Sequence, residues 1–401
     1  MYGDSRISTG VTPKRSGADL IGYAASGERL SRDELLELYS LPAEDVRAAA
    51  NDVRMKRANP ELVTYSIYGN IDYTNVCVIG CDFCCYYRNR HETDAFVLDA
   101  DEIVKEAATL KDRGVQNVLL MGGINPHLPF DWYVNLLREI KKAHPAVWID
   151  SFSPEEILGF EKLTGRDAVS ILAELKEAGM DALPGVSAEI LIDEVRHRVA
   201  SKRIPTSDWF RIVDAALQVG LEIPCVSMVF GIGETAEQRI EHLLLVRDFQ
   251  DRALEKYGRG FQTFEVWPMR VQHSRLREFI PVRDPDEIST DYLQHLAIGR
   301  LAMDNIDHHR SVWRTMGFDI AGAALQSGAD ELSGTGTINA ITAVTELDGR
   351  DTPGIEAYEG TLDDIRGCIA RAGFTPARRD PEWNIIAMDE VGGKEELAEV
   401  S

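Results

Sequence analysis

Four of the six cysteines in this chain fall at positions 77, 81, 84 and 85. Cys77, Cys81 and Cys84 have the spacing C-x3-C-x2-C in the segment NIDYTNVCVIGCDFC (70–84). A chain of this length does not need a disulfide scaffold, so clustered thiols indicate metal or redox chemistry. Three thiolates can ligate three irons of a cubane [4Fe-4S] cluster and leave the fourth iron open to another ligand.

A zinc site and a group of structural thiols are the alternatives to an iron–sulfur cluster at these cysteines. A zinc site usually takes four protein ligands at paired spacings, and the sequence has no partner CxxC or HxxxH. A group of buried structural thiols does not account for three spaced cysteines in a loop that contains a glycine. Cys85 directly follows Cys84, so we expect its side chain to point away and to pack as a small buried residue. A protein that merely binds an iron–sulfur cluster or zinc would share the motif without being an enzyme.

Glycines and acids at predicted strand ends could complete a ligand site. Gly122 and Gly123 follow a strand, where the missing Cβ lets the backbone approach a ligand closely, although a structural turn also accounts for the pair. Glu189 could bind a ribose or an amino group, or it could be a solvated acid in the first turn of a helix. Asp150 and Glu265 are candidate acids or bases. Each could equally be a buried structural residue whose polar groups are all hydrogen-bonded.

An alternation of strands and helices from about residue 65 must position these side chains. Short apolar strands followed by amphipathic helices indicate parallel βαβ units, and six or more units favour a TIM-type (β/α) barrel, full or nearly full, over a doubly wound sheet. The predicted strands are 65–74, 116–123, 146–152, 181–185, 222–230 and 261–268. Because barrel active sites lie at the carboxyl ends of the strands, we expect the cysteines to face the reaction chamber.

We divide this α/β chain into four parts. Residues 1–15 are expected to be disordered, and 16–64 form an N-terminal helical extension in which Ser31 can cap a helix. Residues 65–345 form the barrel, and 346–401 form a C-terminal helix and tail outside it.

Composition restricts the function and the location. The net charge of -23, from 66 acidic and 43 basic residues, excludes a phosphate-neutralising surface, so we expect neither nucleic acid nor an anionic membrane as a partner. The sequence has no apolar run long enough to span a bilayer, and its first residues lack the apolar core of a secretion signal. These features predict a cytoplasmic protein.

The cysteine segment with its flanking residues resembles the radical S-adenosylmethionine (SAM) superfamily. The resemblance implies that Cys77, Cys81 and Cys84 hold a [4Fe-4S] cluster whose open iron binds the amino and carboxylate groups of SAM. It also implies that Phe83 shields the cluster. The cluster would then cleave SAM reductively, and this cleavage would start radical chemistry.

The resemblance also assigns residues to SAM. It implies that Gly122 and Gly123 contact the methionine amino group and that Tyr86 packs on the adenine. Glu189 matches the glutamate of a GAE motif and would bind the ribose or the amino group.

Further segments, from about residue 20 to 386, resemble one subgroup of the superfamily. It contains cyclic dehypoxanthinyl futalosine synthase, aminofutalosine synthase and the hydroxyphenyl-transferring subunit of deazaflavin (FO) synthase, and the match is greatest to the first. The segments are SPEEI (153–157), LKEAGMDALPG (175–185), TSDWFRIVDAA (206–216), LAIGRLAMDNI (296–306) and GFTPARRDPEWNII (373–386).

The resemblance implies a reaction and its partners. A 5′-deoxyadenosyl radical would abstract hydrogen from the ribose of dehypoxanthine futalosine, and the carbon radical would add to the benzoate ring to give a spirocyclic product in menaquinone biosynthesis. The alternatives are aryl transfer or radical addition on another substrate, of the FO synthase or aminofutalosine synthase type, or a different nucleoside. The partners would be a small-molecule substrate and a low-potential electron donor, flavodoxin or ferredoxin.

Two departures from the subgroup fall at predicted strand ends. The chain reads Met121-Gly-Gly-Ile-Asn125-Pro where the subgroup usually has QGG-x-HP, and GADELSGTGTINAI (328–341) lacks the usual acidic run. Because substrate is read at strand ends, a divergent substrate is consistent with both changes.

Overall fold

The computed structural model describes residues 15–112, 114–333 and 360–388. The helices are α1 (Gly17–Ser26), α2 (Arg32–Leu38), α3 (Ala43–Arg57), α4 (Ala100–Asp112), α5 (Phe130–Ala143), α6 (Pro154–Thr164), α7 (Ala168–Ala178), α8 (Asp193–Val199), α9 (Thr206–Val219), α10 (Ala236–Tyr257), α11 (Pro285–Ala302), α12 (Trp313–Leu325) and α13 (Leu362–Arg371). The strands are β1 (Leu62–Tyr65), β2 (Tyr68–Thr74), β3 (Asn117–Gly122), β4 (Trp148–Ser151), β5 (Val226–Phe230), β6 (Thr263–Pro268), β7 (His308–Ser311), β8 (Glu331–Leu332), β9 (Thr375–Arg379) and β10 (Ile385–Met388).

The strands form the wall of a barrel from two hydrogen-bonded sheets. One has the order β2-β3-β4 and the other the order β10-β9-β1-β8-β7-β6-β5. Their strand pairs are parallel except β9 with β10. Isolated bridges from Asp150 to Ala182 and from Gly185 to Val226 link β4 through the segment 182–185 to β5 and so join the sheets on one side. On the other side β1 leads through residues 66–67 into β2, and these two strands are not paired with each other. The α/β barrel architecture expected from the sequence is confirmed.

Most of the predicted strands occur, within a few residues of their predicted bounds. The segment 181–185 differs, since it forms only isolated bridges at Ala182 and Gly185. Strands β7 and β8 were not predicted from the sequence. β7 reads HHRS and β8 has two residues, so neither carries an apolar alternation that a sequence pattern could reveal.

The N-terminal part of the chain forms α1, α2 and α3 ahead of β1 and packs on the barrel. Ser31 caps α2 in a capping box with Glu34, the device that satisfies the first free amides of a helix. α3 packs on α1 and α11, and Arg54 on α3 donates to the carbonyl oxygens of Pro60 and Leu62 at the entry to β1. Residues 1–14 of the segment predicted to be disordered lie outside the described residues.

The C-terminal segment contributes strands as well as a helix. After α13, β9 pairs in parallel with β1, so the segment predicted as a tail extends the larger sheet. Arg379 at the end of β9 is 5% exposed and pairs with Glu331 of β8 at 2.6 Å. Of the stretch 328–341, only residues up to 333 are described. None of the described helices is both long and apolar enough to cross a membrane.

Candidate active site

A cavity of about 400 Å³ lies at the carboxyl ends of β2, β3 and β4. Eight of the residues predicted to bind cofactors line it: Cys77, Cys81, Phe83, Cys84, Tyr86, Gly122, Gly123 and Glu189. Cys85 is not among the lining residues. The fold therefore brings together side chains from separate strand ends, and their individual roles stay predictions.

The loop after β2 holds the cysteines in place through polar side chains. Thr74 donates to the carbonyl of Phe96, and the Asn75 side chain bonds Asp94 and Phe96, so the two ends of the loop are tied together. Arg88 donates to the carbonyls of Cys85, Tyr86 and Tyr87 and pairs with Asp94 at 2.7 Å. Fixed backbone geometry of this kind positions thiols before any metal binds.

The three thiols suit a cubane cluster better than a single ion. Among the described residues, no three His, Cys, Asp or Glu side chains converge as a site for one metal ion. A cubane does not require convergence, because each thiolate binds a different iron. Burial raises the pKa of Cys81 to about 12 and that of Cys84 as well, so cluster binding must release protons.

The glycine pair has a packing reason in addition to any ligand contact. A Cβ on Gly122 would lie 2.5 Å from the Tyr73 ring. A Cβ on Gly123 would collide with the carbonyl oxygen of Val76 and lie 2.8 Å from the Cβ of Cys77. The glycines thus let the cysteine loop lie directly against the end of β3.

Gly123→Ala should displace the cysteine loop and lower the iron content of reconstituted protein. We expect a loss of about 1–3 kcal/mol in unfolding free energy, the usual cost of overpacking. Chemical denaturation and iron analysis measure the two effects. Gly22→Ala is the matched control, because its Cβ would meet no atom within 4 Å. Equal behaviour of the two variants would contradict this packing account.

A buried ion-pair network covers one side of the cavity, and its central residue, Arg203, was not singled out by any sequence pattern. The guanidinium lies 2.6 Å from Glu189 and 3.3 Å from Glu155, and its Nη1 lies 3.6 Å from the Cys81 sulfur. Arg196 approaches Glu189 at 3.6 Å. Glu189 has a positive φ of 39°, which turns the chain at this point. The network places a guanidinium and a carboxylate together on the cavity wall, beside a cysteine.

Asp72 is a second cavity residue that sequence reasoning missed. It lies on β2 with its side chain on the same face as Asn70, and both line the cavity. Burial raises the pKa of Asp72 to about 6. The inward alternation of β2 (Tyr68, Asn70, Asp72, Thr74) could have indicated it, since alternate residues of a strand face one side.

Glu156 forms a buried hydrogen-bonded pair with Tyr73 at the end of the cavity. Its carboxyl group also bonds the hydroxyl of Ser153, and Glu156 itself is 2% exposed. Burial raises the pKa of Glu156 to about 8. The group is therefore protonated at neutral pH and can donate as well as accept a hydrogen bond.

The free energy of unfolding should fall as the pH rises from 4.5 towards 8, because the unfolded chain loses the Glu156 proton while the folded chain keeps it. The slope from this group is about 1.4 kcal/mol per pH unit at most. Glu156→Gln removes the titration, so its unfolding midpoint should fall less over this range than that of the wild type. Thermal unfolding of both proteins between pH 5 and 8 measures this, and parallel curves would refute it.

A second cavity of about 260 Å³ lies deeper in the barrel and contains the two candidate acids. Asp150 and Glu265 both line it, and Val186 lines this cavity as well as the first. Burial raises the pKa of Asp150 to about 6. Arg310 lies 3.2 Å from both Glu265 and Glu331. Asp150 and Glu265, the two predicted acid–base residues, thus line this second cavity and not the cysteine-lined one. We call the second cavity the inner polar chamber.

The barrel and the three-cysteine loop at its carboxyl end define the class as radical SAM proteins. A family model described as "Radical SAM superfamily" matches residues 71–246, and one described as "CofH/MqnC C-terminal region" matches residues 258–391. The chain belongs to the radical SAM superfamily, in the family of the futalosine-pathway and FO synthases.

Individual relatives agree with this membership. The chain is 33% identical to cyclic dehypoxanthine futalosine synthase of Halalkalibacterium halodurans, over 92% of this chain and 94% of that protein. It is 33% identical to aminodeoxyfutalosine synthase of Streptomyces coelicolor, over 90% and 92%. Among solved structures it resembles the FeFe-hydrogenase maturase HydG from Carboxydothermus hydrogenoformans, with a TM-score of 0.67, 17% identity and coverage of 89% and 78%.

The family also settles the kind of catalyst. The chain is a radical SAM enzyme, and its cofactors are a [4Fe-4S] cluster and SAM, as predicted from the cysteine motif. The cysteine-lined cavity and the glycine-permitted approach of loop to strand fit that cofactor pair.

Proposed function

We propose that this enzyme cyclises dehypoxanthine futalosine by radical C–C bond formation in menaquinone biosynthesis. The observation that carries the proposal is the full-length similarity to a cyclic dehypoxanthine futalosine synthase, which spans the barrel and the C-terminal region alike. The inner polar chamber beside the cysteine-lined cavity supports it, because a nucleoside-derived substrate needs such a space next to SAM.

Cys77, Cys81 and Cys84 are the proposed cluster ligands, with Phe83 as a shield. When bound, the cluster and SAM supply a 5′-deoxyadenosyl radical that abstracts hydrogen from the substrate. The chain itself contributes binding and orientation, since a radical step depends on holding the target C–H bond near the adenosyl carbon and on excluding water.

Arg203 and Glu189 are proposed to bind the ends of SAM. A guanidinium that lines the cavity beside Cys81 suits the methionine carboxylate, because Arg binds carboxylates in a bidentate geometry. Glu189 would accept from the methionine amino group or the ribose hydroxyls. Tyr86 would pack on the adenine, and the backbone at Gly122 and Gly123 would contact the methionine moiety.

The inner chamber is proposed to hold the sugar part of the substrate. Its carboxylates, Asp150 and Glu265, are acceptors for hydroxyl groups, and Arg310 is a donor held between two acids. The chamber is lined by two guanidinium groups, of Arg310 and Arg379, and by three carboxyl groups, of Asp150, Glu222 and Glu265. A neutral, hydroxyl-rich group fits such a lining better than a second carboxylate does.

Asp72→Asn should separate SAM cleavage from product formation. Restoring aromaticity after ring addition requires loss of one electron and one proton. The electron would pass to the cluster, which SAM cleavage leaves oxidised, and we propose that Asp72, a carboxylate of the cysteine-lined cavity, accepts the proton. We expect about 100-fold less product, with formation of 5′-deoxyadenosine nearly unchanged. In the wild type the product rate should rise through pH 6 as Asp72 ionises, and the variant should lack this rise. Equal loss of both compounds would argue against a role after SAM cleavage.

The cluster must first be reduced by an external electron. We propose that a low-potential flavodoxin or ferredoxin supplies it and that the enzyme works in the cytoplasm with a small-molecule substrate. No nucleic acid or membrane partner is proposed.

Mass spectrometry of an anaerobic reaction tests the substrate. Reconstituted protein, dithionite, SAM and dehypoxanthine futalosine should give 5′-deoxyadenosine and a cyclised product of the substrate. A parallel reaction with tyrosine and a ribitylaminouracil tests the aryl-transfer alternative. Substrate-independent 5′-deoxyadenosine without cyclised product would refute the proposed substrate while leaving the radical chemistry in place.

A further inference from the structure

Two exposed cations contact the cysteine loop, although the chain as a whole carries a net charge of -23. The amino group of Lys202 donates to the carbonyl of Val78 at 3.0 Å. The guanidinium of Arg275 donates to the carbonyl of Gly80 at 3.0 Å and pairs with Asp82 at 2.7 Å. The Arg275 side chain is 52% exposed. Two cations from distant parts of the chain therefore contact the loop between its first and third cysteines.

An apolar element adjoins these cations. The short 3-10 helix Arg275–Glu278 carries a second exposed cation, Arg277, and leads directly to Phe279 and Val282. Phe279 is 71% exposed and Val282 59%, the two most exposed large apolar side chains among the described residues. Exposed apolar groups beside charges are typical of a protein-binding surface.

The loop itself is open to solvent at this place. Val78, which follows the first cysteine ligand, is 44% exposed. We call the surface formed by Val78, Lys202, Arg275, Arg277 and Phe279 the loop face. Acids are present here as well, Asp82 in its pair with Arg275 and Glu278 in the 3-10 helix, but the cations outnumber them.

We propose that the loop face is the docking surface for a small acidic one-electron carrier of the ferredoxin type. The inference rests on the proposed role of the three cysteines as cluster ligands. Electron transfer weakens steeply with distance, so a carrier must approach the cluster by the shortest path, and the loop that carries the ligands is exposed here. A chain with a charge of -23 repels an acidic carrier elsewhere, whereas a local positive face attracts and orients it.

Such a complex is expected to be small and short-lived. Interfaces between electron-transfer partners usually bury less than about 1,200 Å². Their association rates depend on charges at the rim and fall as salt screens them. Phe279 would supply the apolar centre and the cations would supply steering.

Arg277→Glu and Phe279→Ser test the loop face without touching the contacts of Lys202 and Arg275 with the cysteine loop. The substrate-free production of 5′-deoxyadenosine is measured with a reduced acidic ferredoxin and, separately, with dithionite. We expect each variant to lose about 10-fold in ferredoxin-driven rate, which is about 1.4 kcal/mol, and to keep its dithionite-driven rate. Lys142→Glu is the charge-matched control; this residue is 76% exposed on α5.

Binding is measured independently of turnover. Calorimetric titration with oxidised ferredoxin should show weaker binding for both loop-face variants than for the wild type and Lys142→Glu, and the difference should shrink at high salt. Unchanged binding and unchanged ferredoxin-driven rates would overturn the proposal, as would preferential docking of flavodoxin alone. Because no futalosine substrate is used, an error in the proposed substrate cannot imitate either result.

Discussion

Cys81→Ala should abolish reductive cleavage of SAM, with a loss of at least about 1,000-fold in 5′-deoxyadenosine formation. Cys81 is the central thiol of the motif, is 5% exposed and lies within hydrogen-bonding range of Arg203. Removing it takes away one of the three proposed ligands to a cluster that would use one thiolate per iron. Iron and sulfide analysis together with 5′-deoxyadenosine quantification measure the effect.

Cys85→Ala is the matched control for this experiment. It removes a thiol from the adjacent segment, but Cys85 is outside the set of residues that line the cavity. The variant should keep its iron content and its SAM cleavage. Full activity of Cys81→Ala, or equal loss in both variants, would mean that the cluster ligands have been misassigned.

Arg203→Gln should weaken SAM binding by about 100-fold, or about 2.7 kcal/mol, and also destabilise the fold. The change removes the proposed partner of the methionine carboxylate. It also leaves the carboxylates of Glu155 and Glu189 without the cation that they contact at 3.3 and 2.6 Å. Breaking a buried pair in this way costs about 3–5 kcal/mol. Equilibrium dialysis with SAM and chemical denaturation measure the two effects.

Two further variants separate binding from stability in this network. Arg203→Lys keeps the charge but not the bidentate geometry, so it should recover most of the stability and little of the SAM affinity. Arg211→Gln removes an exposed pair with Glu161 and should cost less than about 1 kcal/mol. Normal SAM affinity in Arg203→Gln would leave Arg203 with a purely structural role.

The barrel could be predicted because its signals are local. Strands such as β3 and β5 are short apolar runs, and the helices between them have amphipathic periodicity, so the alternation indicates parallel units without knowledge of contacts. β7 was not predicted because its residues, HHRS, are polar and lack any apolar alternation. β9 was not predicted because it pairs with β1, about 300 residues away, and a local sequence pattern does not indicate such a contact.

The same distinction applies to the cavity. The cysteines and the glycine pair are recognisable from type and spacing, and Cys77, Cys81, Cys84 and both glycines line one cavity. Arg203 is not recognisable, because its importance comes from contacts with Glu155, Glu189 and Cys81 that only the fold creates. Asp72 lies inside the recognised motif. Only the structure shows that it faces the cavity and that burial raises its pKa.

The first departure from the subgroup, and residues 328–333 of the second, lie within the part of the chain that the structure describes. Met121 lines the cysteine-lined cavity, and Asn125 is buried, with its side chain accepting from the backbone of His127. In the stretch 328–341, Glu331 is buried between guanidinium groups of the inner chamber. The first departure therefore changes the surface of the cavity that we propose binds SAM.

Electron paramagnetic resonance of the reduced, reconstituted protein tests whether Cys77, Cys81 and Cys84 hold a SAM-binding cluster. We expect four irons per chain by iron analysis and a spectrum that changes when SAM is added. We also expect magnetic coupling to nitrogen-15 in the SAM amino group, because the fourth iron would lack a protein ligand. A spectrum that SAM leaves unchanged, with no coupling to the label, would contradict the assignment of Cys77, Cys81 and Cys84 as the ligands of a SAM-binding cluster.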